Sequence, residues 1–281
     1  MHFSTELIEK IDRKKEIEFE LQNADYDKEF VLYYQPQYST ITRKLIGMEA
    51  LVRWFHPTKG MISPANFIPI AEESGAIIPL GAWILNKAIE QIKQWNTKFE
   101  LDLKVSINVS PVQVEDTEFI EFFTKKMNEY DINPNWVDLE ITKISTMYSL
   151  ASMEELFNQL DAMGVSSSID DFGTGYSSLS YIKKFSVERL KIAKELVDNI
   201  ENDENTSLII NAIIKMAKDL NLKTIAEGVE DITQLEIIEN LGCDEIQGFI
   251  FGKPVPPDPF ETAHILPIKK QVMFSPVSSI L

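Results

Sequence analysis

Val165-Ser166-Ser167-Ser168-Ile169-Asp170-Asp171-Phe172-Gly173-Thr174-Gly175-Tyr176-Ser177-Ser178 runs from a short strand pattern straight into an acidic, glycine-bearing loop. The stretch 165–169 ends on two adjacent carboxylates. The glycines at 173 and 175 permit a tight loop with φ above zero, and the Thr, Tyr and Ser side chains supply hydrogen bonds that can fix it. By spacing alone such a loop could cradle a phosphate. It lacks the Gly-Lys-Ser/Thr ending that a P-loop needs, which excludes a nucleoside-triphosphatase reading.

The same arrangement, a short β-branched or aromatic run ending on a polar side chain, recurs on both sides of this segment. Strand patterns fall at 30–35, 44–51, 104–109, 136–141, 165–169, 189–192, 222–226 and 245–248. Helical patterns between them fall at 79–95, 118–130, 153–163, 206–220 and 232–241. Alternating βα units imply a parallel sheet, and about eight of them is the number of a TIM-like (β/α)8 barrel. The chain has 281 residues, close to the roughly 250 of such a barrel in one domain. Residues 27–267 are therefore read as the barrel. Residues 1–26 are read as a leading amphipathic connector helix and 268–281 as a tail.

In a barrel the βα loops gather at the carboxyl ends of the strands. There stand Glu49, Asn108, Glu140, Asp170, Asp171, Lys191, Glu227 and Gln247. Taken singly, a Glu, Asn or Asp at a strand end more often caps a helix. Eight of them in register with strands read instead as one rim. Carboxylates converging from separate strands repel one another unless a cation neutralises them, and hard oxygen donors suit Mg²⁺ or Mn²⁺. With Asp170 and Asp171 adjacent, one carboxylate could bridge two ions while the other serves the second, the clamp used for in-line attack on phosphorus. The single cysteine, Cys243, and three histidines exclude an internal disulfide and a thiolate or imidazole zinc cage.

Formal charge is −17, from 27 basic and 44 acidic residues. That balance argues against extended nucleic acid as a partner, while a metal can still invert the local field for a small anion. No apolar run reaches the roughly 18 residues of a spanning helix, and the start lacks a basic then apolar leader, so a cytoplasmic chain without membrane insertion is expected. Trp54, Trp83 and Trp95 read as core; Phe249 and Phe251 are the better candidates for stacking at the rim.

The motifs resemble the EAL family of cyclic di-GMP phosphodiesterases over nearly the whole chain. They occur in the family's order: Tyr33-Tyr34-Gln35-Pro36, Glu49-Ala50-Leu51-Val52-Arg53-Trp54, Asn108-Val109-Ser110, Leu139-Glu140-Ile141-Thr142, the Asp170 loop, Glu227-Gly228-Val229-Glu230 and Gln247-Gly248-Phe249. The resemblance implies a barrel whose first strand runs antiparallel to the others. It implies that Glu49, Asn108, Glu140 and Asp170 hold one metal and that Asp170, Asp171 and Glu227 surround a second. Glu49, Lys191, Glu227 and Gln247 would be the catalytic set, with Lys191 and Gln247 at the water or phosphate. Arg53 would hold the far phosphate and Gln35 and Glu230 would meet the guanines, with Leu51 and Phe249 on the same ligand surface. The reaction would be hydrolysis of one phosphodiester of cyclic di-GMP, opening the ring to pGpG.

Two positions depart from the family's pattern. Lys143 stands where a second glutamate usually follows Leu-Glu-Ile-Thr, and Ala193 stands where Lys-Ile-Asp is usual. The first reverses the charge of a group that would secure the Asp-Asp loop; the second removes a carboxylate beside the lysine. Impaired hydrolysis is one consequence, and a catalytically silent cyclic di-GMP receptor is the alternative. A scaffold that has lost the ligand is the third reading. The leading helix resembles the join to an upstream GGDEF or sensor domain; it could also support a homodimer or merely cap the barrel floor.

Overall fold

The computed structural model of the protein describes residues 2–142, 150–174, 182, 184–201 and 203–268. Lys143, positions 175–178 of the acidic loop and all but the first residue of the expected tail lie outside the described residues.

Among the described residues there are nine strands, most of them separated by helices. They are β1 (Phe30–Ser39), β2 (Leu45–His56), β3 (Gly60–Ile62), β4 (Lys104–Val109), β5 (Val137–Thr142), β6 (Ser166–Phe172), β7 (Arg189–Ile192), β8 (Lys223–Ala226) and β9 (Glu245–Gln247). The ring closes in the order β1-β2-β4-β5-β6-β7-β8-β9, with β3 appended to β2 outside it. β1 is antiparallel to both neighbours, β2 and β9, and the remaining neighbours in the ring are parallel. The eight-stranded α/β barrel with a reversed first strand is thus the observed fold.

The described helices are α1 (His2–Asn23), α2 (Tyr26–Glu29), α3 (Pro64–Ser74), α4 (Ile77–Phe99), α5 (Pro111–Val114), α6 (Phe119–Glu129), α7 (Leu150–Ala162), α8 (Lys194–Val197), α9 (Glu204–Asp219), α10 (Ile232–Leu241) and α11 (Pro257–Phe260). In α4 the apolar residues Ile77, Leu80, Ile84, Leu85, Ala88, Ile89, Ile92, Trp95 and Phe99 recur every three or four positions and are all buried, the stripe that seats a helix on a sheet. The Asp231 carboxylate accepts from the backbone N–H groups of Thr233 and Gln234 to start α10, which ends at Gly242 in the left-handed region. The four-residue helices α2, α5, α8 and α11 escaped the sequence patterns, as did α3 and β3. α3 carries Pro64 at its start and Pro69 inside, which read as loop punctuation, and β3 is only three residues long.

The leading helix is docked. Ile17 and Leu21 of α1 are buried, the helix packs on α3, and the Lys59 ammonium bridges Glu16 and Glu20 at 2.7 and 2.6 Å. Lys59 follows the end of β2 where Phe30 pairs with Trp54, beyond the last residue of the neighbouring β4. The helix therefore sits on the carboxyl-end side of the sheet and does not cap the barrel floor. Trp54 anchors that end: its ring stacks on Phe30 at 5.3 Å and its indole N–H donates to Glu29 at 3.0 Å. Trp54 and Trp95 are fully buried core residues, whereas half-buried Trp83 donates to Asp27. Among the described residues no helix is long and apolar enough to cross a membrane.

Candidate metal and ligand site

Side chains alternate in and out of a barrel strand, so a rim residue has an inward-facing partner two positions below it. In this chain the lower layer is as polar as the rim. Ser106 lies below Asn108, Asp138 below Glu140, Ser168 below Asp170, Arg189 below Lys191 and Glu245 below Gln247, while Gln37 takes the same level on reversed β1. Arg189 holds this layer together. Its guanidinium donates to Asp138 at 2.6 Å, Glu245 at 2.9 Å, Ser106 at 2.7 Å, Ser168 at 3.1 Å and Gln37 at 3.3 Å. Every one of these side chains is buried, so each polar atom needs such a partner. The sequence patterns did not single out Arg189, Asp138 or Glu245; the two-residue offset from the rim residues was the signal available.

Above this layer the Lys191 ammonium is the centre of the rim. It lies 2.6 Å from Glu140, 2.7 Å from Glu227, 3.2 Å from Asp170 and 3.6 Å from Glu49. Asn108 donates to Glu49 at 2.6 Å, and the Gln247 amide donates to Glu49 and, at 3.1 Å, to Gln35. Residues from seven strands thus meet at one point. Lys191 is fully buried, and the surrounding carboxylates hold its ammonium charged against the opposing pull of burial.

The carboxylates outnumber their cation. Burial, reinforced by Glu49 and Asp170, pushes Glu140 well above the ordinary carboxylate range despite Lys191. Burial likewise pushes Glu227 up to about 8, with Lys191 opposing it. In the layer below, burial also works against the Asp138 carboxylate, but Arg189 and Lys104 win and hold it below its ordinary value. The rim is therefore the part of the interior short of positive charge.

A hard divalent cation fits this donor set. The buried Glu140 Oε1 accepts no hydrogen bond and meets the Arg189 guanidinium only at 3.7 Å, which leaves room for a closer positive group. Asp170, Asp171 and Glu227 each offer an oxygen within 4.8 Å of the others. Asp171 adopts φ of 53°, unusual for a residue with a side chain, at an irregularity of register between β6 and β7. That turn, followed by Gly173 at φ 104°, brings neighbouring carboxylates to the same mouth where a regular strand would send them to opposite faces.

The remaining expected residues lie around this centre without touching it. Leu51 and Arg53, beside Asn108 of the centre, line a cleft of about 230 Å³ between β2 and β4, closed on its far side by α3 and α4. The Arg53 guanidinium donates to its own strand at Val52 O and lies 5.4 Å over the Tyr33 ring. Glu230 is exposed and pairs with Lys194 at 2.7 Å. Phe249 is 46% exposed, with the Lys253 ammonium 5.1 Å over its ring, while Phe251 is partly buried and stacks on Tyr38. Ala193 is fully buried and begins α8 without any side-chain cap, a position that an aspartate would cap.

A pH dependence follows for the metal-free protein. Glu140 and Glu227 bind protons more tightly folded than unfolded; for Glu227 the extra native-state proton is held between the ordinary 4.5 and about 8, and Glu140 acts in the same direction. The Glu227 contribution is present in full below that window and is lost as pH rises through it, at up to about 1.4 kcal/mol per pH unit. Urea unfolding in chelator should show stability falling from pH 5 toward pH 8, and saturating Mg²⁺ or Mn²⁺ should flatten the slope. A stability that rises across this window in chelator contradicts the assignment.

Comparison with known proteins agrees with this architecture. The family model described as EAL domain matches residues 19–254. The signaling protein YkoW of Bacillus subtilis is 41% identical over 244 residues, which cover 87% of this chain and 30% of YkoW. The bifunctional diguanylate cyclase/cyclic di-GMP phosphodiesterase MucR of Pseudomonas aeruginosa is 37% identical over 237 residues, 84% of this chain and 35% of MucR. The chain thus spans about a third of the length of these curated relatives. Among solved structures, the PaMucR phosphodiesterase in complex with c-di-GMP superposes with a TM-score of 0.83 at 36% identity, covering 87% of this chain and 99% of that one. The EAL enzyme Bd1971, with cAMP and cyclic di-GMP bound, superposes with a TM-score of 0.84 at 32% identity, covering 92% and 69%.

Proposed function

The chain belongs to the EAL family, and from that premise we propose that it binds cyclic di-GMP across the carboxyl-end mouth and hydrolyses it, slowly, to pGpG with a divalent cation. The observation that carries this reading is the excess of carboxylate around Lys191, with Glu140 Oε1 buried and without a hydrogen bond. The relative whose structure carries c-di-GMP is named a phosphodiesterase, and its whole length corresponds to this domain.

Glu49, Asn108, Glu140 and Asp170 would hold one Mg²⁺ or Mn²⁺, and Asp170, Asp171 and Glu227 a second. The cation would neutralise the phosphate and polarise it toward attack. Lys191 keeps the carboxylates gathered when the cation is away and stands ready to turn toward a phosphate oxygen or the attacking water. Gln247, held by Glu49, Gln35 and Gln37, presents its amide to the same space. Arg53 can swing from Val52 O to the far phosphate, and Gln35 and Glu230 offer acceptors to the guanine edges. Leu51 and exposed Phe249 provide apolar contact for the bases. The native protein would be a longer cytoplasmic signalling protein, with α1 as the join to an upstream GGDEF or sensor domain.

A receptor that binds without cleaving is the second reading, and Ala193 favours it: the family's carboxylate beside the lysine is missing and α8 begins uncapped. One paired assay separates the two. Cyclic di-GMP is titrated calorimetrically in Ca²⁺ and Mg²⁺ while product is followed by chromatography in Mn²⁺. Turnover to pGpG supports the enzyme; binding with no pGpG at high protein concentration selects the receptor. If the two departures limit the rate, the pair Lys143→Glu with Ala193→Asp should raise turnover at least about tenfold, which corresponds to about 1.4 kcal/mol of barrier. An unchanged rate in the double variant removes that account.

A further inference from the structure

The loop 227–230 after β8 carries two carboxylates with different duties, and a side chain from the preceding βα unit clamps it. Lys194, the first residue of α8, reaches Glu230 at 2.7 Å and Asp198 at 2.8 Å. Its aliphatic stem lies flat over Gly228, which has φ of 70°. A Cβ added to Gly228 would come within 2.4 Å of Lys194 Cγ and 2.8 Å of its Cδ. The glycine therefore serves both the turn and the close approach of the lysine stem. The chain from metal-facing Glu227 to outward Glu230 is thus pinned at its middle by packing and at its end by charge.

The ion pair is directed. Lys194 engages Glu230 through Oε1, leaving Oε2 without a partner from the lysine. A carboxylate has acceptor sites to spare on both oxygens, so the second can take the N–H groups of a guanine edge while the first stays bound to the ammonium. Both side chains are nearly half exposed, so the pair itself adds little to folding and its consequence lies in where Glu230 is held.

We propose that Lys194 is a positioning residue for base recognition: it fixes Glu230 so that one carboxylate oxygen faces the guanine of a bound cyclic dinucleotide. This rests on the reading that the mouth binds cyclic di-GMP through Glu230. Lys194 does not meet the reacting phosphate, so its effect appears in affinity and not in the chemical step. Arginine keeps a long stem and a cation and should substitute; methionine keeps the stem over Gly228 and loses the cation.

The test is a double-mutant cycle on the full 281-residue chain, with cyclic di-GMP titrated calorimetrically in Ca²⁺. Lys194→Met should weaken binding roughly three- to fivefold, the scale of a partly exposed ion pair, and Lys194→Arg should restore it. In a Glu230→Gln background, Lys194→Met should have no further effect. Wild-type binding with an unchanged Lys194→Met variant overturns the positioning role and leaves the function intact. So does an equal weakening in both backgrounds. A wild-type domain that binds no cyclic di-GMP overturns the functional reading, and with it the role of Lys194.

Discussion

Replacing Lys191 by methionine should lower the unfolding free energy of the metal-free domain by about 3–5 kcal/mol at pH 8, the range found when one partner of a buried ion pair is removed. The side chains are similar in length, so the core keeps its volume and the change is electrostatic. Lys191 is fully buried with four carboxylates within 3.6 Å, and beside it Glu140 meets only the Arg189 guanidinium of the layer below, at 3.7 Å. Without it these groups must take up protons or repel one another. The loss should therefore shrink as pH falls toward 5, where protons become available to carboxylates already pushed upward. Mn²⁺ should recover part of it, because a cation among the same oxygens does the work of the missing ammonium. Urea titrations of both proteins at pH 5 and 8, with and without Mn²⁺, measure all three effects. A variant as stable as the wild type at pH 8 in chelator would show that the rim is not held together by this lysine.

The second large effect is on chemistry. Asp170→Asn should lower the rate of pGpG formation by more than about a hundredfold, since a lost metal ligand should cost at least as much as the 10- to 100-fold typical of a lost supporting contact. Asp170 would serve both proposed ions: it lies 3.2 Å from Lys191, among the acids of the first, and belongs to the trio with Asp171 and Glu227. Its carboxylate also accepts from the Asp171 backbone N–H at 2.9 Å, a bond that asparagine's carbonyl can still accept. The fold should consequently survive. In chelator the variant should be at least as stable as the wild type, because one of the crowded negative charges is gone, and that separates a lost ligand from a misfolded domain. Undiminished turnover in Asp170→Asn would remove Asp170 from the metal site.

Much of this arrangement was legible in the sequence because barrel strands advertise themselves twice, by an apolar run and by the polar residue that ends it. Strands β4 and β7 begin and end where the periodicity places them, and Glu140, Asp170 and Glu227 converge from the carboxyl ends of their strands; Glu49 joins them from within β2, which runs on to His56 because its last residues pair with β3. The reversed β1 was accessible only through the family resemblance, since antiparallel and parallel strands have the same two-residue period. α3 was missed because Pro64 and Pro69 break a pattern that tertiary packing of Phe67 and Ala71 restores. The Arg189 layer was missed for a different reason: a charged residue inside a strand reads as solvent-facing until closure of the ring turns it inward. Lys191 is where the physical picture shifted most. The sequence placed it at a phosphate or water, and the folded chain shows it first as the counter-ion that lets four acids share one mouth.

The central claim is that this mouth is charged for an anionic cyclic dinucleotide only when divalent cations sit among its carboxylates. Calorimetric titration of cyclic di-GMP into the domain, once in excess Mg²⁺ or Ca²⁺ and once in chelator, addresses it most directly. The account predicts saturable binding with the metal and a large loss of affinity in chelator, with the metal-dependent gain abolished by Asp170→Asn. No binding up to about millimolar ligand under either condition, or equal affinity in both, would contradict it.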